Sequence, residues 1–383
     1  MDYAKLFSAI DSLESKYIQF WSDICTIESP TSYKAGVDAV AAFCADHARS
    51  FGWQVEIHEE EVSGNAVCIT MNPNAPGEAV CLSGHMDTVH PVGLFGTPAV
   101  HMDETYIYGP GVADCKGGIV GSFLAMEALH SIGFTDRPVK LILQSDEEIS
   151  SVTSDKRTID FMEKCARGST VFLNAEPGNG KNAVLWRKGL SKYRITVTGE
   201  AHHASLCATG GISAIREAAY KIIQIEEYKD ADGITMNCGT IQGGSAINTV
   251  PEKCEFCIDV RYATLEEMDE AHEFLTRLTA TSFVEGSTSE LTLISRRPPM
   301  VKADRNFAVL ERMNAVFAEA GLPVREGDSG FGGSDAADLT AREIPSVDEF
   351  GVVGQYVHSI RERAEIASLA RCAKYLGSAI LGL

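Results

Sequence analysis

The chain has 383 residues, 45% hydrophobic and 22% charged, with Lys+Arg 33 against Asp+Glu 53 and a formal charge of −20. That is a globular composition at a length suggesting two domains, and the acidic balance lacks the basic footprint that nucleic-acid phosphates require. No run approaches the roughly 18 apolar residues of a membrane span, so neither nucleic acid nor membrane is an expected partner.

The first residues show no cationic stretch followed by an apolar core and cleavage site, so no signal peptide is expected. Eleven cysteines is an odd number, and most sit in apolar runs, among them Cys44, Cys68, Cys81 and Cys257. Cys254 and Cys257 form a single CxxC inside a strand-like stretch. They read as reduced thiols of a cytoplasmic protein, not as a disulfide framework or a cysteine zinc site.

In chain order, residues 4–28 place Leu6, Ile10, Leu13, Tyr17, Phe20, Trp21 and Ile24 at helical spacing. Ser29-Pro30-Thr31-Ser32 breaks that helix and a second follows over 36–51. Strands are predicted at 54–60, 66–71 and 79–83, and a helix over 116–131 after a glycine-rich turn. A strand at 139–144, a helix at 155–165 and a strand at 170–174 continue the alternation. Such alternation argues for a mixed α/β layer, its sheet largely parallel and flanked by helices. The character then changes: strand 190–198, helix 212–228, strands 233–241 and 253–262, helix 265–283 and strand 291–295. This strand-helix-strand-strand-helix-strand order is ferredoxin-like and complete in itself. It predicts an inserted domain at 183–298, with 1–182 and 299–383 forming one discontinuous domain.

The first candidate for chemistry is Ser83-Gly84-His85-Met86-Asp87-Thr88-Val89, after an apolar strand. His85 and Asp87, two apart on an extended segment, share a face, as suits a metal-binding imidazole oriented by a carboxylate. Asp114 lies in Gly109-Pro110-Gly111-Val112-Ala113-Asp114-Cys115-Lys116-Gly117-Gly118, whose spacing does not match a phosphate loop. An ordinary helix N-cap is its plainer reading. Ser145-Asp146-Glu147-Glu148 follows the 139–144 strand and Glu176 follows the 170–174 strand, where ligand-binding residues gather in open α/β sheets. Three adjacent acids also suit a solvated turn. His358 comes much later, ahead of Ser359. Gly332-Gly333-Ser334-Asp335-Ala336 nearly spells a serine-nucleophile elbow, but no apolar strand precedes it.

Together these segments resemble the di-zinc amidohydrolase and exopeptidase family that includes glutamate carboxypeptidase, aminoacylase, acetylornithine deacetylase and succinyl-diaminopimelate desuccinylase. The likeness runs in order through 83–89, 109–118, 146–148, Glu176-Pro177, 332–336 and His358-Ser359 with Glu362. It implies two divalent metal ions, zinc first and cobalt or manganese as alternatives. Asp114 would bridge them, His85 and Glu176 completing one site and Glu148 and His358 the other. Asp87 would hold the His85 ring. Glu147 would take a proton from the attacking water and pass it to the leaving amine. A cis Asp114–Cys115 peptide is implied too.

In the inserted domain the resemblance puts His203 at a partner subunit's active site and Asn248 and Arg261 near a substrate carboxylate, with Gly332 and Gly333, beyond that domain, in a glycine-rich loop near the same carboxylate. The plainer readings are a polar loop residue for His203 and a strand-end salt bridge for Arg261. The expected function is hydrolysis of an amide bond next to a free carboxylate in a small peptide or N-acylated amino acid. A carboxypeptidase or dipeptidase is favoured over an N-acyl-amino-acid deacylase, with a homodimer formed through the inserted lid domain. A serine hydrolase using Ser334 is the remote alternative.

Overall fold

Val80–His85 is buried at every position, as a strand covered on both faces must be. In the computed structural model, which describes residues 1–383, this strand lies inside a six-stranded sheet. The order across the sheet is Gln54–His58, Ala66–Met71, Val139–Gln144, Val80–His85, Val171–Asn174 and Ser346–Val347. The last four run parallel, and the first two are added antiparallel. The mixed, largely parallel α/β sheet read from the sequence is the one observed.

Strand periodicity divides the side chains between two faces. Val80, Leu82, Leu141 and Leu143 join the main apolar core with residues of the Tyr3–Thr26, Lys116–Ser131 and Ser368–Gly382 helices. The middle helix of the three is covered all round, every residue from Lys116 to Leu129 being buried. Its first turn packs hard against the sheet: a Cβ on Gly118 would fall on the Ala175 carbonyl oxygen. Lys116 is wholly buried, and its Nζ donates to the Ile27 carbonyl at 2.7 Å, closing off the end of the first helix.

The chain divides into two compact units. Met1–Trp186, Lys302–Gly330 and Ser334–Leu383 make the larger, and Arg187–Val301 with Phe331–Gly333 the smaller. Two further pairings were not read from the sequence. Asn182–Arg187 pairs with Glu326–Gly330, and His101–Met102, Tyr106–Tyr108, Gly354–Gln355 and Arg363–Glu365 form a separate four-stranded sheet. Arg363 stacks over Tyr106 and Tyr356 there, which compensates for the shortness of the strands.

The smaller unit has one antiparallel sheet, ordered Thr235–Gly243, Lys253–Tyr262, Gly189–Thr198 and Thr288–Arg297. Lys253–Tyr262 alternates in burial along its length, and its buried positions pack with Ala214–Ile225 and Leu265–Ala280. Cys254 and Cys257, three apart on that strand, point to opposite faces and make no site.

Candidate metal centre

Three neighbouring parallel strands end side by side, and each delivers an acid or an imidazole from its carboxyl end. Val80–His85 carries His85 as its last residue, registered opposite Gln144. Asp146, Glu147 and Glu148 follow Val139–Gln144, and Glu176 follows Val171–Asn174. Asp114 comes from the loop ahead of the Lys116–Ser131 helix, and its peptide to Cys115 is cis. His358 reaches the same place from the exposed loop between Gly354–Gln355 and Arg363–Glu365.

The carboxylate of Asp114 stands between the two imidazoles. Its Oδ1 lies 2.9 Å from His85 Nε2, and its Oδ2 lies 3.2 Å from His358 Nε2. Glu176 Oε1 is 3.7 Å from His85 Nε2, and Glu148 Oε2 is 3.2 Å from His358 Nε2. The structure thus brings His85, Asp114, Glu148, Glu176 and His358 together as two sets that share Asp114.

Electrostatics follow from crowding acids into a buried space. Burial would raise Asp114, but His358 and His85 hold it well below the usual carboxylate range. Burial pushes Glu148 up to about 7 against His358, with the charges of Asp114 and Glu147 adding to the rise. It pushes Glu176 well up too, opposed by His85 and aided by Asp114 and Glu147. Burial works against a charged His85 ring, yet Glu176, Asp114 and Asp87 hold it well above the usual imidazole value. Hydrogen bonds to Asp114 and Glu148 raise His358 to about 10.

The donor set fits a pair of divalent cations. Donors roughly 2.0–2.2 Å from a tetrahedral ion lie about 3.3–3.5 Å from one another, close to the spacings within each set. Three carboxylates, Asp114, Glu148 and Glu176, are also crowded into a poorly solvated place, where cations would stabilise their ionised form. Cys115 lies near His85 and Glu176 as well, but its thiol donates to the Ala175 carbonyl at 3.1 Å.

A second layer of contacts fixes these side chains, and here Asp87 has more partners than its spacing from His85 suggested. His85 Nδ1 faces the Asp87 carbonyl at 2.9 Å and the Asp87 carboxylate at 3.4 Å. That wholly buried carboxylate also accepts the backbone N–H of Glu147 and of Glu148, each at 3.2 Å, and the Thr31 hydroxyl at 2.7 Å. One aspartate therefore orients the imidazole and pins the Glu147–Ile149 turn. Glu362 does the same across the centre. It accepts Ala113 N at 2.9 Å and Asp114 N at 3.1 Å, and its other oxygen lies 2.6 Å from His90 Nε2.

Thr31 and His90 carried no signal in the sequence, and Glu362 stood beside His358 with no role attached. Asp146 serves the scaffold, accepting Ser154 N and the Thr158 hydroxyl at 2.9 Å each.

Ser334 is not placed as a nucleophile. It is wholly buried, accepts the Asn174 amide at 2.9 Å and the Ala336 N–H at 3.2 Å, and caps Asp335–Ala341. The serine-hydrolase alternative is thereby corrected: the serine in this glycine-rich segment is a helix cap.

The remaining candidates lie in the smaller unit. His203 is exposed, and its Nδ1 is 2.8 Å from the Ser205 hydroxyl. Pairing of His202–His203 with Thr249–Val250 brings exposed Asn248 alongside, where its carbonyl accepts Ala204 N at 2.9 Å. Arg261 pairs with Asp259 at 2.7 Å, the strand-end ion pair of its plainer reading. The Gly332 and Gly333 carbonyls each accept Arg187 Nη1 at 3.2 Å.

With this geometry in place, similarity to known proteins is informative. The model of peptidase family M20/M25/M40 matches residues 81–382. Carboxypeptidase G2 of Pseudomonas sp. (strain RS-16) is 24% identical over 373 residues, covering 96% of this chain and 89% of its own. Succinyl-diaminopimelate desuccinylase of Wolinella succinogenes is 23% identical, covering 96% of this chain and 100% of its own. Among solved structures, a tripeptidase from Staphylococcus aureus superposes with a TM-score of 0.80 at 22% identity, covering 96% of this chain and 97% of its own. No helix of the chain is long and apolar enough to cross a membrane.

Proposed function

The chain belongs to peptidase family M20/M25/M40 and is a metal-dependent hydrolase, and from that premise we propose that it cleaves an amide bond next to a free carboxylate with two divalent cations. His85 and Glu176 would hold one cation and Glu148 and His358 the other, with Asp114 placed to serve both. The observation that carries the reading is the Asp114 carboxylate, with one oxygen 2.9 Å from His85 Nε2 and the other 3.2 Å from His358 Nε2. Zinc is the first choice for the cation, since a carboxylate and imidazole donor set suits it, with cobalt or manganese as alternatives.

Bound cations of this kind acidify water and stabilise negative charge on a carbonyl oxygen. Glu147 is the general base. Its carboxylate takes a proton from the attacking water and returns it to the departing amine nitrogen. It is adjacent to Glu148 on one turn, and its charge is felt by both Glu148 and Glu176, which leaves it beside the centre to move protons while Glu148 binds. Asp87 keeps both in register, because its carboxylate accepts the backbone N–H of each. His85 keeps its Nε2 towards the centre because its Nδ1 is engaged by Asp87. In the smaller unit, Asn248 and Arg261, with Gly332 and Gly333 near them, would grip the substrate carboxylate, and His203 would serve the oxyanion at a partner subunit's centre. That unit is the lid and the dimer interface, and the enzyme works in the cytoplasm.

A carboxypeptidase or dipeptidase is the favoured activity, in keeping with the likeness to carboxypeptidase G2. An N-acyl-amino-acid deacylase is the second reading, supported by the desuccinylase relative. Metal-loaded enzyme assayed side by side on dipeptides, N-acetyl and N-succinyl amino acids separates them. Turnover of dipeptides at least tenfold above both acyl series supports the first reading, and the reverse order supports the second. Activity that survives complete metal removal refutes both.

A further inference from the structure

Four residues ahead of His85 on the same strand, ~13 Å away, the sheet face turned from the main core carries a second group of reactive side chains. Thr70, Lys140 and Cys81 stand in one row across three neighbouring strands, and Cys68 is two residues from Thr70 on the same face. The Arg157–Ala166 helix packs over that face. Lys140 Nζ donates to the Cys165 carbonyl at 2.6 Å, which seats Cys165 above the lysine. The Cys68 and Cys165 thiols are both free and buried, and both face one cavity. Together with Lys140 and Lys164 they line an open cavity of about 390 Å³.

This environment differs from that of the other buried thiols. Burial pushes Cys25 and Cys44 up to about 12, and both are inert core residues. Cys68 goes the other way: the neighbouring Cys165 lowers it against burial, and the Lys140 charge helps. A thiol so placed, with a second thiol lining the same open cavity, has the attacking group, the resolving group and the access that oxidation chemistry needs.

We propose that Cys68 and Cys165 are an oxidisable dithiol, a modification site separate from the metal centre, which hydrogen peroxide converts to an intramolecular disulfide. The Cys68 thiolate attacks one peroxide oxygen. The O–O bond breaks, the departing hydroxide takes up a proton as water, and Cys68 becomes a sulfenic acid. The Cys165 sulfur then attacks the Cys68 sulfur, the S–O bond breaks, and the second hydroxide leaves as water with the Cys165 proton. Two thiols lose two electrons and two protons, and one peroxide is reduced to two waters. The link ties the Ala66–Met71 strand to the end of the Arg157–Ala166 helix.

The test uses full-length protein, reduced, freed of reductant, treated briefly with hydrogen peroxide, alkylated under denaturing conditions and digested for mass spectrometry. The expected product is a peptide pair joined through Cys68 and Cys165, about 2 Da lighter than the sum of its parts and lost on treatment with dithiothreitol. Cys165→Ser should leave Cys68 as a sulfenic acid trapped by dimedone, whereas Cys68→Ser should leave Cys165 unlabelled. Recovery of both residues fully alkylated after exposed Cys207 has oxidised would overturn the proposal. So would a link from either residue to Cys81. Equal dimedone labelling of Cys165 in Cys68→Ser would overturn the assignment of Cys68 as the attacking thiol. The wild-type product alone decides the pairing, whether or not the variants fold.

Discussion

Replacing Glu362 with Gln should loosen the Asp114 loop without touching a metal-ligating atom. The wild-type carboxylate receives Ala113 N, Asp114 N and His90 Nε2 at 2.9, 3.1 and 2.6 Å. A glutamine offers one oxygen and one NH2. If the oxygen faces Ala113 and Asp114, the NH2 meets a ring nitrogen that was donating. If it faces His90, the NH2 opposes two backbone donors. At least one charge-assisted bond is lost in either pose, at a cost of ~2 kcal/mol for a group only 1% exposed. That corresponds to a Tm lower by ~2–4 °C in a chain of this size. Metal affinity should fall roughly 10–100-fold, as for other outer contacts to ligating groups. The assays are thermal unfolding of metal-free protein, so that bound metal does not mask the loss, and zinc competition against a chromogenic chelator. Glu365→Gln, at a partly exposed pair with Arg371, is the control and should move neither by much. Wild-type Tm and affinity in Glu362→Gln would mean that the Ala113–Asp114 segment is held by something else.

Glu147→Gln should keep its full metal content while the rate falls by ~10²–10⁴; parallel loss of metal and activity would make Glu147 part of the metal site. His47 carries a pH prediction. Burial first, and then Lys16, lowers it to about 4, so the fold binds fewer protons than the unfolded chain, whose histidine titrates near 6.5. Its contribution is present above ~6.5 and lost as pH falls through about 4. His47→Gln should therefore lose less Tm than wild type between pH 7 and pH 4.5, and identical slopes would contradict the assignment. If His203 acts across a dimer, co-refolding Glu147→Ala with His203→Ala protein should restore about a quarter of wild-type activity. Activity no greater than that of the separate mutants, with mixed dimers formed, would confine His203 to its own subunit or exclude it from catalysis.

The strand-end acids and His85 were legible because each follows an apolar run, and a parallel sheet collects such ends in one place. Glu148 and Glu176 meet only because Val139–Gln144 and Val171–Asn174 flank the Val80–His85 strand. Neighbours in that sense can be argued from alternation alone. Thr31, His90 and Glu362 could not be read, because their roles depend on loops meeting across the fold and leave no local period. The same holds for Glu326–Gly330, whose Glu-Gly-Asp-Ser-Gly sequence has no apolar face yet pairs with Asn182–Arg187. Ser334 misled in the opposite direction, since a glycine-rich segment with a serine suits a helix cap as well as a nucleophile, and only its burial and its Asn174 partner separate the two.

The account depends most on the shared carboxylate of Asp114. Zinc-loaded protein analysed for metal content and by anomalous scattering above the zinc edge tests it directly. The account predicts two ions per chain, one beside His85 and Glu176 and the other beside Glu148 and His358, with Asp114 oxygens facing both. A single ion, or two ions with Asp114 touching neither or only one of them, would contradict it.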